Sequence, residues 1–305
     1  MSTQTPQSTG PSLSYLSPTS FMMWRENPIK FWMSYLAPPE LKMPRGAQTP
    51  PMAVGNVFDT HVKYHLAQAT GQQLPPDMLE KTTDARFLGK NSPIREDNLV
   101  LWEGLRAYHM YRDSPAMRLM LEGVTSVEVP MEGTRAIDVE DGKGGYDRVP
   151  IWGKPDAELF RKRRVIMDWK VQGAFNVNRP NPEPGHNYQF VRRLKGGEDH
   201  WVDLGPSHRA IEPLEMLSER WAIQCAMYAW MLGEAVGTDF GVEIHKVVLY
   251  SQTEVEVLVW RNAVGRDFQR RIAQELRLCW DKVQKNEVLP PEMRGAPPEL
   301  LMTMI

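Results

Sequence analysis

The chain has 305 residues, 42% of them hydrophobic and 24% charged, with a net charge of −2. That supplies the core of one large domain or two modest ones, and it excludes a generic nucleic-acid coat while leaving room for a local basic groove. Mean hydropathy is −0.45, and the longest apolar helical run, Ala222 to Val236, holds Gln224 and Glu234 and is too short to span a bilayer.

Two cysteines, Cys225 and Cys279, exclude a four-cysteine zinc or iron–sulfur site and a disulfide framework. A cytoplasmic place, in a bacterial or phage-infected cell, and no membrane partner are the expectations. Residues 1–12 are Ser/Thr/Gln/Pro-rich and read as a disordered tail without a secretory pattern. Ser17 can cap a helix with Pro18 at its first position. Asn27-Pro28 repeats the device ahead of Ile29 to Leu36, so two short helices with a bend are expected.

Pro38-Pro39 ends the pair, and a Pro/Gly-rich loop leads to Pro51. From Met52 to Ala69 a helical pattern returns, with Val54, Val57, Phe58, His61 and His65 near one face. Asp77 to Leu88 and Asp97 to Tyr111 read as further helices, which makes residues 13–122 a helical lobe. Strand character begins at Val124 to Val129 and continues in Arg135 to Val139 and Val149 to Leu159. Gly142-Lys143-Gly144-Gly145 makes a reversal between the last two.

After the basic run Arg161 to Arg164 comes the strand Val165 to Val171. Residues 172–211 read as an insertion, with short strands at Tyr188 to Leu194 and His200 to Leu204. Glu212 to Glu234 reads as one helix with a stripe of Leu214, Leu217, Trp221, Cys225, Tyr228 and Leu232. A hairpin, Val242 to Tyr250 and Glu254 to Trp260, precedes a last amphipathic helix from Val264 to Val283. The Pro-rich end reads as loosely packed. The expectation is one α/β domain over 13–288, with its core at 123–288, and a tail at 289–305.

The chemistry centres on Asp168-Trp169-Lys170. Side chains alternate along a strand, so Asp168 and Lys170 share one face and Trp169 takes the other. Charges in an apolar strand are costly unless they pair or serve a site; the bland alternative is an edge strand with a charged face. Gly153-Lys154-Pro155-Asp156 precedes it by about the length of a hairpin, which would set Asp156 beside Asp168.

Two adjacent carboxylates repel unless a cation sits between them, and Mg²⁺ favours such oxygen ligands with waters retained. With Lys170 beside them, the pattern fits metal-assisted phosphodiester hydrolysis. His61 on its helix is available as a further ligand, or is a core-edge histidine. Gln224 and Tyr228 lie one turn apart on one helix face, or simply join the apolar stripe.

In order, these segments resemble the PD-(D/E)xK nuclease superfamily, within it the RecB-like exonuclease branch. They are Leu16-Ser17-Pro18-Thr19-Ser20, Gly55 to His61, Gly153 to Asp156, Asp168-Trp169-Lys170 and Gln224 to Tyr228. The resemblance implies a restriction-endonuclease-like mixed β-sheet flanked by helices, with a helical N-terminal lobe, and a deoxyribonuclease, most readily an exonuclease of recombination, repair or phage DNA processing.

By that resemblance His61, Asp156 and Asp168 would bind one or two Mg²⁺ or Mn²⁺ ions, with the backbone carbonyl of Trp169 as a further ligand. Lys170 would orient and help deprotonate the attacking water. Gln224 and Tyr228 would line the DNA path, and Glu128 would support the site. The cysteines of cluster-bearing relatives are missing, so no iron–sulfur cluster is expected. No nucleotide-binding helicase motif is present, so a helicase, recombinase or annealing partner would be a separate chain.

Arg161 to Arg164, Arg192, Arg193, Lys195, Arg270 and Arg271 are candidate phosphate contacts. The rival readings are a non-catalytic DNA-binding scaffold on a decayed nuclease fold, and a site-specific endonuclease.

Overall fold

Two Ser/Asn-Pro turns start the fold. Ser17 and Ser20 cap one another, Ser17 N donating to Ser20 Oγ at 2.8 Å and Ser20 N to Ser17 Oγ at 3.1 Å. They open α1 (Pro18–Glu26). Asn27 is extended; it ends α1, and its side chain accepts from Lys30 N at 2.9 Å to open α2 (Pro28–Tyr35). The bend between the helices is this one residue. The computed structural model describes residues 13–43, 49–73, 94–127, 135–172, 186–191, 200–206, 213–250, 254–294, 296–297, 300–301 and 303–304.

α3 (Pro50–Thr70) stops where Gly71 turns left-handed at φ 66°, and α4 (Ile94–Arg112) and α5 (Pro115–Leu121) follow. The helix expected over Asp77 to Leu88 lies outside the described residues, as do Glu128, Arg192, Arg193 and Lys195.

The strands are β1 (Val124–Val127), β2 (Arg135–Glu140), β3 (Tyr146–Ile151), β4 (Ala157–Phe160), β5 (Arg164–Gln172), β6 (His186–Val191), β7 (His200–Pro206), β8 (Gly241–Leu249) and β9 (Val255–Asn262). Seven form a mixed sheet in the order β1-β4-β5-β8-β9-β6-β7, and β2-β3 pair apart from it. Only β5 and β8 run parallel among these pairings, with Asp168 opposite Ile244. The helices α6 (Leu214–Leu217), α7 (Glu219–Met231) and α8 (Arg266–Gln284) complete the chain order. The fold is therefore α/β, a mixed sheet flanked by helices with a helical N-terminal region. Among the described residues no helix is long and apolar enough to cross a membrane.

Both faces of β5 are covered, which is why its apolar residues run nearly unbroken. Val165, Met167 and Trp169 pack with Phe58, Val62 and Leu66 of α3 and with Tyr111 and Met117. Ile166 packs on the other side with Ala222, Ile223 and Met227 of α7. Asp168 and Lys170 follow the alternation onto this α7 side.

Three expectations change. Val149 to Leu159 is not one strand. It is β3 and β4, in different sheets, parted at Trp152 to Asp156. Pro155 cannot donate to a ladder there, and Leu16 clasps the exit of β3 by accepting Trp152 N at 3.0 Å and donating to Pro150 O at 2.9 Å.

The helix expected over Glu212 to Glu234 breaks at Ser218, which is extended and whose hydroxyl caps α7 by accepting Trp221 N. The C-terminal segment is docked: Leu289 and Leu301 are buried against Ile29 and Met33 of α2.

Candidate active site

The hairpin turn Arg161-Lys162-Arg163 fixes the register of β4 on β5, with Ala157 opposite Met167. One step further stand Asp156, just ahead of β4, and Asp168. Their carboxyl groups stand side by side. Asp156 is thus a turn residue rather than one late in a strand, yet it meets Asp168 because the register carries through.

Gly153 makes room for this turn. A Cβ there would stand 3.0 Å from the Tyr228 ring and 3.1 Å from Met231 Cε, so α7 closes on the turn only because the side chain is absent. From α7, Gln224 Nε2 donates to Asp168 Oδ1 at 3.4 Å and to the Tyr228 hydroxyl at 3.2 Å. Lys170 Nζ is in ion-pair contact with Asp168 Oδ2 and sits 5.9 Å from the centre of the Trp221 ring. Asp156, Asp168, Lys170, Gln224 and Tyr228 therefore converge as the sequence order requires.

His61 does not join them. Its ring stacks on Tyr108 at 5.3 Å, and burial, then the nearby His109, lowers its pKa. On α3 the residue that reaches the site is Lys63. Its Nζ lies 2.9 Å from Asp156 Oδ1 and 2.7 Å from Asp59 Oδ2. Lys63 is two residues from His61, and two residues on a helix are about 200° apart, so one points inward when the other points to α4. Gly55, Asp59 and Lys63 share a face at four-residue spacing, a signal present in the sequence beside the one chosen.

Burial is the largest influence on the three charged groups. Burial pushes the Asp168 pKa well up; Lys170 opposes this and the Asp156 charge reinforces it. Burial acts the same way on Asp156, but Lys63, Asp168 and Lys170 together outweigh it and hold Asp156 below the usual range. Burial works to lower Lys170, and Asp168 reverses it, so Lys170 stays an ammonium. Asp168 Oδ2 is buried, and its partner is the Lys170 ammonium, in ion-pair contact with it.

Among the described residues no three His, Cys, Asp or Glu side chains stand close enough to hold a metal ion. Two carboxylates in contact nonetheless fit Mg²⁺ or Mn²⁺, which bind through one or two carboxylates and keep several waters.

Behind β5 the side chain of Trp169 enters a second polar group that the sequence reading missed. Trp169 Nε1 donates to the Tyr111 hydroxyl at 3.1 Å, and that hydroxyl lies 2.5 Å from His245 Nδ1. His245 Nε2 is 2.8 Å from Glu243 Oε1, and Glu243 Oε2 accepts from Arg161 at 2.8 Å and Arg261 at 3.0 Å. A neutral His245 carrying its proton on Nε2 satisfies every step, and burial holds its pKa low. Alternation inside an apolar strand hid Glu243 and His245.

The basic candidates are mostly spoken for. Arg161 serves Glu243, Arg164 pairs with Glu158 and Glu234, Arg270 with Asp267, and Arg271 with Glu219 and Glu275.

No protein-family model matches the chain, and no curated protein matches it. Among solved structures it is similar to a chain called "Putative exonuclease" from Eubacterium rectale, at 11% identity and a TM-score of 0.48, over 93% of this chain and 88% of that one. At that score the likeness decides nothing, and the site is read from its own residues.

Proposed function

We propose that the chain is a Mg²⁺- or Mn²⁺-dependent deoxyribonuclease of the PD-(D/E)xK type, hydrolysing phosphodiester bonds with water in one step. We place it as an exonuclease acting on DNA ends in recombination, repair or phage DNA processing. The observation that carries the reading is the contact of Asp156 with Asp168 on one face of β5, with Lys170 paired to Asp168 beside them.

A bound ion would supply Lewis-acid charge to the water and the scissile phosphate. Asp156 and Asp168, with the Trp169 carbonyl, are the residues that would hold it. Gln224 fixes Asp168 Oδ1 and is itself tied to Tyr228, so the carboxylate plane is set before substrate arrives. As an ammonium, Lys170 would orient the attacking water and offset the charge that develops on the phosphate. Cys225 is buried, and burial, then Asp168, pushes its thiol pKa far up, so it is no nucleophile for a covalent route.

The test is incubation of end-labelled linear and closed circular DNA with the full chain, in Mg²⁺, in Mn²⁺ and in EDTA. Metal-dependent shortening of linear DNA, with circles intact, is expected. Cutting of circles would make it an endonuclease. No cleavage of any DNA, with DNA still bound, would leave the scaffold reading.

A further inference from the structure

Lys63 carries an inference about how many ions the site takes, and it rests on the metal-dependent reading above. Asp59 and Lys63 are one turn apart on α3, so their side chains lie over one another. Lys63 is only 6% exposed, and its Nζ spans Asp59 Oδ2 at 2.7 Å and Asp156 Oδ1 at 2.9 Å. An ammonium so deeply placed is expensive to desolvate and persists only where acceptors surround it. Two carboxylate oxygens at 2.7 and 2.9 Å keep the group an ammonium.

Two-metal sites in phosphodiester hydrolysis set their ions about 4 Å apart on shared carboxylates. Here the carboxylate that would be shared, Asp156, has its Oδ1 engaged by Lys63, and so has Asp59, the next carboxylate along.

We infer that the site takes one divalent cation rather than two, and that Lys63 is a positioning residue whose fixed ammonium stands where a second ion would. It holds Asp156 and keeps the second place closed.

The experiment is a Mn²⁺ titration of the full-length protein followed by electron paramagnetic resonance, which counts bound ions without requiring turnover. The wild type is expected to bind one Mn²⁺ per chain with an uncoupled spectrum. Lys63→Gln, which keeps the size and removes the charge, is expected to bind two with a spin-coupled spectrum. Lys63→Arg is expected to stay at one.

A wild type that binds two ions overturns the inference and leaves the nuclease reading standing, as does a Lys63→Gln protein that remains at one. No Mn²⁺ binding by the wild type overturns both. Should Lys63→Gln fail to fold, the wild-type count decides: one supports the inference and two overturns it.

Discussion

The two sides of β5 carry two buried polar clusters of opposite character. On the Trp169 side, Tyr111, His245, Glu243, Arg161 and Arg261 form a chain in which each donor meets an acceptor and the Glu243 charge meets two guanidinium groups. On the Asp168 side, Lys63 bridges Asp59 and Asp156, Lys170 pairs with Asp168, and the carboxyl groups of Asp156 and Asp168 are pressed together. A closed network like the first rigidifies a core. Two carboxyl groups pressed together cost stability and are kept for what they do. The closed side anchors Trp169 and so fixes the strand on which Asp168 and Lys170 are carried.

The sharpest break between the sides is expected from Asp168→Asn. DNA cleavage should fall at least about 100-fold, as for a misplaced reacting geometry, while the thermal midpoint holds, because the change relieves the repulsion between Asp156 and Asp168 as it loses the pairing with Lys170. On the other side Glu243→Leu should cost stability, about 3–5 kcal/mol for a broken buried ion pair, read from the urea midpoint.

That loss should depend on pH. Burial works to raise the Glu243 pKa, but His245 and Arg261 hold it down to about 2 against an ordinary 4.5. A depressed acid contributes stability above its unfolded value and loses it as pH falls through the folded one. The gap between wild type and variant should therefore be full above pH 4.5 and close as pH falls toward 2.

Tyr111→Phe removes one hydroxyl from the same chain and should cost about 1–3 kcal/mol, for the Trp169 N–H and His245 Nδ1 left unpaired. Chemical denaturation measures it, and cleavage by the folded fraction should survive. The smallest expected change is Gly153→Ala. Its methyl would press on Tyr228 and Met231, and overpacking of this size costs about 1 kcal/mol. Cleavage should fall more than stability does, since Tyr228 holds Gln224.

Much of the site was legible because short-range rules set it. The hairpin length placed Asp156 by Asp168, and alternation put Lys170 on the same face. Ser17-Pro18 and Asn27-Pro28 announced their helices through cap chemistry. The rotation of α3 was not legible. That helix buries Thr60, Lys63 and Ala67 as well as the stripe of Val54, Val57, Phe58, Val62 and Leu66, so the apolar stripe alone does not say which polar residue faces the sheet. His61 drew attention by its chemistry, while Lys63 holds the inward place.

The break at Ser218 was hidden because apolar residues continue on both sides of it. The pairing of Arg161 with Glu243 and of Arg164 with Glu234 joins residues 82 and 70 apart, and no local pattern records it; Arg270 with Asp267 and Arg271 with Glu275 are local helix pairs.

The most direct test of the central claim is single-turnover cleavage of end-labelled DNA in Mn²⁺ by Lys170→Ala beside the wild type, with matched circular dichroism and thermal unfolding. The Asp156–Asp168–Lys170 cluster as active site predicts cleavage lowered by about 100-fold or more in a protein that is still folded. Undiminished metal-dependent cleavage by the folded variant would contradict it.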